Sequence, residues 1–463
     1  MNDYIKIDIK NTYDTIFEGF GTSLSWFANA IGKHQNNEIK NHLCNILFDQ
    51  NDPNSLQLNI VRYNIGGVID NKKKAIFRNG GDIPGYNMNN KKKWNETDLG
   101  QRYFLKKAKE LGVNIFEAFS NSPPENLTIS NGVEGNKYRC MNNIKSNKIE
   151  DFTDYLINVT TFLKKNDDIE FKTISPMNEP SGPGWIEGCG QEGCFYNFGI
   201  RQKLLKSIYK KTRNHSLNVS ACEENNMLQA LFGILINPFM WKYVDQYNIH
   251  RYTIDNALKF NTFNLEDSNI LRRIIYIIMN KIYKKKIWMS EWGTGNSKNL
   301  SEIDTLLKFA NSIIDDFNYL HPSAWIYWQV IEDLSTNGWG CLQIPFNNPN
   351  IKNIVYNVQF TTFQHFTHYI KPGSKFLKLQ KPKNKNIKWI GCINQNKISL
   401  IILSKNKENI YITFNKYLYN ISMMCSYNLH NNITIDKKNI PKLTTLTVHP
   451  FSLTSLSFNI CTF

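Results

Sequence analysis

The first 370 residues alternate short apolar runs with amphipathic stretches. Eight of the apolar runs have the composition of buried strands, and helical patterns lie between them. The predicted strands are Thr15–Phe20, Leu56–Ile65, Val113–Phe119, Phe171–Pro176, Leu217–Cys222, Gln246–Tyr252, Lys286–Ser290 and Ser323–Trp328. The predicted helices include Asn37–Phe48, Asp98–Leu111, Asp151–Leu163, Gly199–Lys211, Ser301–Phe317 and Val355–Tyr369, with Asp98 and Ser301 as N-caps. This repeated alternation is typical of an α/β fold, and it favours a closed (β/α)8 barrel over an open doubly wound sheet.

The pattern changes after Lys371-Pro372-Gly373. The following runs are short, β-branched and bounded by turn residues, which predicts an antiparallel β-sandwich. These runs are Ile387–Ile393, Ile398–Leu403, Ile410–Phe414, Ile421–Tyr427, Leu443–Val448 and Ser452–Phe458. The alternating segment Tyr4–Ile9 is expected to pair with this C-terminal sheet. We therefore predict an N-terminal strand of the β-domain over residues 1–12, a barrel over 13–370 and the β-sandwich over 371–463.

The composition first suggests an anionic partner and then argues against one. Hydrophobic residues make up 41% of the chain and aromatic residues 13%, which excludes a mainly disordered protein. Lysine and arginine outnumber the acidic residues by 55 to 39, for a net charge of +16 that would suit nucleic acid. Asparagine, lysine and isoleucine are nevertheless abundant in core and loop segments alike. We interpret the charge as solvated surface and expect no nucleic-acid partner.

Targeting and metal signals are scarce. The initial residues contain no apolar signal-peptide core, and the most apolar stretch, Ile274–Ile278, is too short to span a bilayer, so we expect no stable membrane insertion. The nine cysteines form neither CxxC pairs nor a His/Cys cluster, and we predict no metal site. Cys189 and Cys194 lie close together in a Gly-rich loop. They are free thiols or, if the protein is exported, a disulfide.

Two glutamates follow predicted strands directly. Glu179 lies in Asn178-Glu179-Pro180 after the fourth strand, and Glu291 lies in Ser290-Glu291-Trp292 after the seventh. Active sites of such barrels form at the C-terminal ends of the strands, so both carboxylates are predicted to face one substrate. A pair about 5–5.5 Å apart cleaves glycosidic bonds with retention. The ionised carboxylate attacks the anomeric carbon and raises the pKa of its neighbour, the general acid. This chemistry needs no cofactor.

An ordered set of further segments extends over nearly the whole chain. It consists of Gly19–Trp26, Asn59–Gly67, Phe116–Pro124, Gln191–Cys194, Trp325–Gln329 and Tyr369–Gly373. Together with Asn-Glu-Pro and Ser-Glu, these segments resemble glycoside hydrolase family 30, a family of clan A retaining glycosidases. The resemblance is closest to its endo-β-1,6-galactanase-like branch.

The resemblance implies roles for individual residues. Glu179 would be the acid/base and Glu291 the nucleophile. Asn178 would hydrogen-bond the sugar 2-hydroxyl, while Arg62 and Tyr252 would orient the Glu291 carboxylate.

Several other polar and aromatic residues have two interpretations. His250 contacts the sugar or is a satisfied core histidine. Trp328 forms the floor of the −1 subsite or packs in the core, and Trp26 and Trp185 line the cleft or pack. Glu187 and Glu192 are interpreted as loop carboxylates that shape the site.

One segment departs from the family pattern. Glu125-Asn126-Leu127 stands where the family usually has an aromatic pair, in a loop expected to border the cleft. The departure leaves the substrate open. We predict a retaining endo-β-1,6-galactanase that acts on a polysaccharide or oligosaccharide as a monomer. The alternatives are a glucosylceramidase-like or β-1,6-glucanase-like glycosidase, or a carbohydrate-binding protein with little turnover. The resemblance implies an extracellular location, although no signal peptide is visible.

Overall fold

The computed structural model describes residues 3–252, 269–295, 300–336, 338–429 and 432–459, and eight of its parallel strands close into a barrel. The strands before the barrel are β1 (Asp3–Ile5) and β2 (Thr12–Ile16). The barrel strands are β3 (Gly19–Ser23), β4 (Ile60–Asn64), β5 (Ile115–Phe119), β6 (Thr173–Ser175), β7 (Asn218–Glu224), β8 (Gln246–His250), β9 (Lys286–Trp292) and β10 (Ala324–Tyr327). Each strand pairs with the next, and β10 pairs with β3 to close the ring. The predicted barrel is confirmed.

Helices follow most of the barrel strands and cover the outside of the barrel. They are α1 (Ser25–Gly32), α2 (Asn37–Phe48), α3 (Leu99–Glu110), α4 (Ile149–Asp167), α5 (Phe198–Thr212), α6 (Met227–Ile236), α7 (Asn269–Tyr276), α8 (Glu302–Asp315) and α9 (Val358–Thr367). Short 3-10 helices cover Lys91–Glu96, Glu125–Leu127, Ser146–Lys148, Pro238–Tyr243 and Ile351–Asn353, and π-helical turns follow α7 over Ile277–Ile282 and α8 over Asp316–Leu320. Helix α2 buries Ile39, Leu43 and Leu47, whose spacing of four residues places them on one face. No helix of the described residues is long and apolar enough to cross a membrane.

The two predicted N-caps have different outcomes. Ser301 caps α8, because its side chain accepts a hydrogen bond from the Asp304 N–H at 3.1 Å. Asp98 stands at the N-cap position of α3 as predicted, but its side chain forms no capping hydrogen bond. Asp98 precedes α3 in a left-handed conformation, and its carboxylate accepts from Tyr63 at 2.5 Å and Gln101 at 2.8 Å instead of capping the helix. A buried tyrosine partner takes the carboxylate away from the helix end.

The predicted first strand, Thr15–Phe20, divides into two. Strand β2 ends at Ile16 and pairs with the C-terminal sheet, whereas β3 begins at Gly19 and belongs to the barrel. Gly19 has a φ of 141°, which few other residues adopt, and a side chain there would collide with Asn59. The chain therefore passes from one domain to the other within the predicted strand, at Phe17-Glu18.

The strands after the barrel form two sheets. A small sheet contains β11 (Ile331–Asp333), β12 (Leu342–Ile344) and β13 (Val355–Tyr356). The larger one contains β14 (Lys375–Leu377), β15 (Ile387–Asn394), β16 (Lys397–Ser404), β17 (Ile410–Leu429), β18 (Asn432–Val448) and β19 (Ser452–Asn459), together with β1 and β2. The pairing of β1 with β17 confirms that the N-terminal strand joins this domain. The two runs predicted at 410–414 and 421–427 form one long strand, because a bulge between Thr413 and Leu418 bends β17 without ending it.

Both faces of the larger sheet are covered. One face has its own apolar core, which includes Trp389, Leu400 and Leu456. The other face joins the barrel core through Ile401 and Leu453. The β-domain therefore packs directly against the barrel and adjoins the cleft described next.

Candidate active site

A cleft of about 1340 Å³ opens at the C-terminal ends of the barrel strands. Six of the eight residues assigned to catalysis or sugar binding line it, namely Trp26, Asn178, Glu179, Tyr252, Glu291 and Trp328. Two more, Arg62 and His250, are fully buried beneath its floor. The cleft extends to Lys405 of the β-domain. The structure therefore brings all eight predicted residues into one region.

Glu179 is held by its backbone and by two side chains. The residue follows β6 in a left-handed conformation with a φ of 44°, and its N–H donates to the carbonyl of Glu223 at 2.9 Å. Its Oε1 accepts a hydrogen bond from Asn225 at 2.6 Å and lies 3.2 Å from Nδ1 of His250. The side chain is 12% exposed, so the carboxylate reaches the cleft.

Glu291 is the penultimate residue of β9 and approaches Glu179 from across the barrel. Its Oε2 accepts from Arg62 Nη1 at 3.4 Å, and its Oε1 accepts from the Tyr252 hydroxyl at 3.1 Å. One carboxylate oxygen of Glu291, one of Glu179 and a ring nitrogen of His250 lie within 4.8 Å of one another. The two carboxylates therefore face the same small volume.

Arg62 connects the strands beneath the cleft. The guanidinium donates to Glu117 at 2.8 Å and to Glu223 at 2.6 Å, in addition to its contact with Glu291. Burial favours the neutral guanidine, but the three carboxylates reverse this effect and raise the pKa of Arg62 above its usual value. Arg62 thus remains a cation that partly neutralises a buried acidic cluster.

Glu223, on β7, has four side-chain donors around it. Arg62 is the first, Asn248 donates at 2.8 Å, Ser290 at 2.6 Å and Nε2 of His250 at 2.7 Å. Burial raises the pKa of Glu223, but the charges of Arg62 and His250 and the surrounding hydrogen bonds lower it to about 2. Glu223 is therefore ionised.

His250 lies between carboxylates on both sides of its ring. Burial lowers its pKa, whereas Glu291, Glu179 and Glu223 together raise it to about 10. The surrounding carboxylates thus favour the protonated form of the ring. Glu179, His250 and Glu291 have the spacing of a three-ligand metal site. We describe the group as an acid–base cluster, because two of its three members are the predicted catalytic carboxylates.

The titration of Glu291 is shifted upward. Burial is the main reason why the pKa of Glu291 rises to about 7, and the charge of Glu179 adds to the effect. His250 and Arg62 act in the opposite direction. We expected the raised pKa at the general acid, whereas the carboxylate whose pKa rises is Glu291, the predicted nucleophile.

Aromatic side chains form the walls of the cleft. Trp328 is 9% exposed and meets Trp26 edge to face, with ring centroids 5.5 Å apart. The Trp185 indole donates to the Glu179 carbonyl at 2.8 Å, which combines a cleft contact with a packing role. Trp339 lies 6.3 Å from the ring of Tyr252 on the side of Glu291. Apolar ring faces next to carboxylates suit the C–H faces of a pyranose.

Comparison with known proteins agrees with this geometry. The family model of O-Glycosyl hydrolase family 30 matches residues 2–337. The chain belongs to this family. It is therefore an O-glycosyl hydrolase with a carbohydrate substrate, and the predicted enzyme class is confirmed.

Two curated relatives of this family 30 enzyme act on β-1,6-linked galactose, according to their names. An endo-β-1,6-galactanase of Hypocrea rufa is 26% identical over 396 residues, which cover 81% of this chain and 76% of the relative. An exo-β-1,6-galactobiohydrolase of Bifidobacterium longum is 22% identical and is matched over 81% of this chain but 33% of its own length. In structure, the enzyme is similar to a conserved exported protein from Bacteroides fragilis, with a TM-score of 0.81, 19% identity, and 98% and 100% of the two chains covered. This likeness supports the fold.

The loop residues of the family 30 enzyme have distinct roles. Glu192 is buried and accepts from the Gly67 N–H at 2.7 Å and from Asn64 at 3.1 Å, whereas Glu187 forms an exposed ion pair with Lys73 at 2.5 Å. Burial raises the pKa of Glu192 to about 8.

The loop at Glu125 differs from our expectation. Glu125 does not border the cleft but lines a second cavity of about 360 Å³, and Leu127 is buried in the core. The Glu125 carboxylate accepts from the backbone N–H groups of Asp70 and Asn71 at 3.2 and 2.9 Å, which turns the side chain away from the catalytic pair.

The two loop cysteines are free thiols in the structure. Cys189 Sγ lies 3.3 Å from the carbonyl of Glu134, and Cys194 Sγ lies 3.6 Å from that of Phe195. Each thiol therefore has a backbone acceptor.

Four site residues escaped the sequence analysis, namely Glu117, Glu223, Asn225 and Trp339. A signal was present for two of them. Glu223 and Asn225 directly follow the predicted strand Leu217–Cys222, in the same position relative to the strand end that drew attention to Glu179. Glu117 lies within an apolar run, and Trp339 lies in a loop without periodicity. No sequence pattern therefore indicates that either residue belongs to the site.

Proposed function

We propose that this family 30 enzyme is a retaining endo-β-1,6-galactanase, with Glu179 as the acid/base and Glu291 as the nucleophile. The approach of the two carboxylates to within 4.8 Å carries the mechanistic part of the proposal. Retaining glycosidases have carboxyl groups about 5–5.5 Å apart, whereas inverting enzymes leave about 6.5–9.5 Å for a water molecule. The substrate assignment rests on the two relatives whose names specify β-1,6-linked galactose.

In the first step, an oxygen of Glu291 forms a bond to the anomeric carbon while the glycosidic C–O bond breaks. The electron pair of that bond remains on the leaving oxygen, which takes the proton of Glu179. Arg62 and Tyr252 donate to the Glu291 carboxylate and hold it for attack. The products are a glycosyl ester on Glu291 and a Glu179 carboxylate.

In the second step, Glu179 acts as a base. Water gives a proton to Glu179 and forms a bond to the anomeric carbon, and the ester bond breaks with its electron pair returning to Glu291. Asn225 donates to Glu179 at 2.6 Å and holds its carboxylate in place for this step. Both residues then return to their starting states.

Sugar binding is assigned to the polar and aromatic residues beside the pair. Asn178 is buried, and its Oδ1 has no hydrogen-bond partner among the described residues. A buried polar atom without a partner is costly, so Asn178 is well placed to accept from a sugar hydroxyl. Trp328 and Trp26 supply ring faces for the sugar in the −1 subsite.

The form of the cleft favours internal cleavage. It extends from Trp26 on the barrel to Lys405 on the β-domain, and its volume of about 1340 Å³ suits a chain of several sugars. The exo-acting relative supports the alternative of end-wise cleavage, and a β-glycosidase for another linkage is the second alternative. The monomeric state and the extracellular location stay predictions.

The central test is turnover of the wild type and Glu291→Gln on a panel of β-1,6-galactan, β-1,6-glucan and β-xylan. We expect early oligosaccharides from the galactan, with the β-anomer released first, and loss of turnover in Glu291→Gln on the order of 10⁴-fold or more. Glu187→Gln, an exposed loop carboxylate, is the matched control and should retain activity. An inert wild type, or an early α-anomer, would contradict the proposal.

Glu179→Gln separates the acid from the nucleophile. This variant should lose turnover of the polysaccharide but still cleave an aryl galactoside whose phenol leaves without protonation. Equal loss on both substrates would argue against Glu179 as the acid/base.

A further inference from the structure

His250 is surrounded by carboxylates from three parts of the barrel. Nδ1 lies 3.2 Å from Oε1 of Glu179 and 3.6 Å from Oε1 of Glu291. On the opposite edge of the ring, Nε2 lies 2.7 Å from Oε2 of Glu223. The ring is fully buried, so these groups rather than solvent determine its state.

We propose that Glu223 is a positioning residue that holds His250 as an imidazolium shared between Glu179 and Glu291. The proposal deepens the proposed function, because it assigns a purpose to the ring beneath the two catalytic carboxylates.

The hydrogen-bond geometry requires this state of the ring. Glu223 is surrounded by donors, since Arg62, Asn248 and Ser290 all donate to it, and its carboxylate is left with acceptor atoms only. Nε2 of His250 must therefore carry a hydrogen. Nδ1 faces oxygens of Glu179 and Glu291, and a bare nitrogen lone pair there would be repelled by whichever of the two is ionised. A hydrogen on each nitrogen satisfies every contact.

The charge balance of the cluster leads to the same result. The titratable groups that face the ring are Glu179 beyond β6, Glu223 on β7, Glu291 on β9 and Tyr252, whose ring centroid is 6.1 Å away. Arg62 on β4 is the cation next to Glu223, and it also serves Glu117 and Glu291. One guanidinium among four carboxylates leaves an excess of negative charge, which a proton on His250 reduces.

Glu223 itself is held in an unusual backbone conformation. Its φ is 60°, in the left-handed region that glutamate seldom adopts, and its carbonyl accepts from the Glu179 N–H at 2.9 Å. The same residue thus fixes the backbone of Glu179 and the ring beside its carboxylate. Glu223 makes these contacts from below the floor of the cleft, where the side chain is fully buried.

The shared imidazolium suits both steps of the reaction. Before attack, Glu179 is protonated and Glu291 is charged, so Nδ1–H is attracted to Glu291. After the ester forms, Glu291 is neutral and Glu179 is charged, and the same N–H is attracted to Glu179. Because both oxygens lie within 3.6 Å of one nitrogen, the cation can follow the charge without a rearrangement of the strands.

The test measures the protonation of His250 directly, by ¹⁵N NMR of the imidazole rings in the substrate-free enzyme. The His250 signal is assigned by its loss in His250→Gln. In the wild type we expect an imidazolium throughout pH 6–8. In Glu223→Gln the ring should lose its proton at a pH about one to three units lower, because a directly bonded carboxylate has been removed.

Glu117→Gln is the matched control. Glu117 is also a fully buried carboxylate bonded to Arg62, but its other partners are Thr173, Gln246 and Asn248. This variant should leave the His250 titration close to that of the wild type. Equal shifts in both variants would overturn the role of Glu223, since the effect would then come from Arg62.

Two further measurements keep the proposal open to refutation if Glu223→Gln does not fold. Glu223→Asp keeps the charge and should keep His250 protonated, with a loss in kcat larger than the change in KM. A neutral His250 at pH 7 in the wild type would overturn the proposal by itself. Both NMR outcomes are read without substrate, so an error in the proposed galactan specificity would not affect them.

Discussion

His250 at the catalytic end of the barrel and His365 at the interface with the β-domain are both fully buried, yet their charges differ. The pKa of His250 is raised to about 10, and burial lowers the pKa of His365 to about 3. His250 has carboxylates at both nitrogens. His365 has hydroxyls at both, from Ser455 at 2.9 Å and Ser426 at 2.8 Å.

The difference shows that burial alone does not determine the state of a histidine. A hydroxyl donates or accepts as required, so it satisfies a neutral ring without a net charge. A carboxylate only accepts, and it stabilises the second proton by its charge. The hydroxyl partners join α9 to β17 and β19, which suits a permanent interface. The carboxylate partners favour a charged ring whose N–H can be attracted to either Glu179 or Glu291, which suits catalysis.

The largest expected effect comes from replacing His250, the histidine at the catalytic end of the barrel. His250→Gln removes one of two cations from a buried cluster of carboxylates. We expect kcat to fall on the order of 100-fold or more. The free energy of unfolding should fall by about 3–5 kcal/mol, because buried carboxylates lose a charged partner. Steady-state kinetics and urea unfolding measure the two effects. His365→Gln is the matched substitution and should leave kcat near the wild-type value; an equal loss there would break the comparison.

The second effect concerns stability alone. His365→Leu leaves the hydroxyls of Ser426 and Ser455 without the ring nitrogens. The free energy of unfolding should fall by about 1–3 kcal/mol, since buried polar groups lose their partner. Thermal or urea unfolding gives this value. The value of kcat should stay unchanged, because the active site lies at the C-terminal ends of the barrel strands and His365 lies at the interface with the β-domain. A decrease in kcat would show that the interface and the cleft are coupled.

The smallest effect is the dependence of stability on pH. His365 is neutral when folded and has a pKa of about 6.5 when unfolded, so its contribution is complete above pH 6.5 and is lost as the pH falls toward 3. The slope from this residue is at most about 1.4 kcal/mol per pH unit. His365→Leu should remove that slope between pH 6 and 4.5.

The contribution of His250 to stability depends on pH in the opposite direction to that of His365. Because its folded pKa is raised, its contribution is complete below pH 6.5 and is lost as the pH rises toward 10. The difference in unfolding free energy between the wild type and His250→Gln should therefore shrink from pH 6.5 to 9. A difference that grows over this range would contradict a charged His250.

Much of the fold was predictable, because its signals are local. The predicted helix Asn37–Phe48 agrees with α2 at both ends, since an amphipathic period and a cap act within a few turns. The strand predicted at 15–20 was wrong for the opposite reason. The prediction treats the six residues as one run although Glu18 and Gly19 lie in its middle, and the strand partners place the two halves in different sheets.

The candidate site was partly predictable as well. Glu179 and Glu291 stood out because a carboxylate directly after an apolar strand has few structural uses. Glu117 did not, because a charged residue inside a strand is intelligible only once Arg62 is known to lie beside it.

The sequence by itself determined the barrel, the β-domain and the two carboxylates at the strand ends, because periodicity and strand position are properties of short segments. The charge states were decided only by the tertiary structure. His250 and His365 have no feature in their own segments that predicts opposite pKa shifts. Electrostatic interactions depend on distances between atoms, and the folded barrel brings carboxylates from three parts of the chain within 3.6 Å of one imidazole ring.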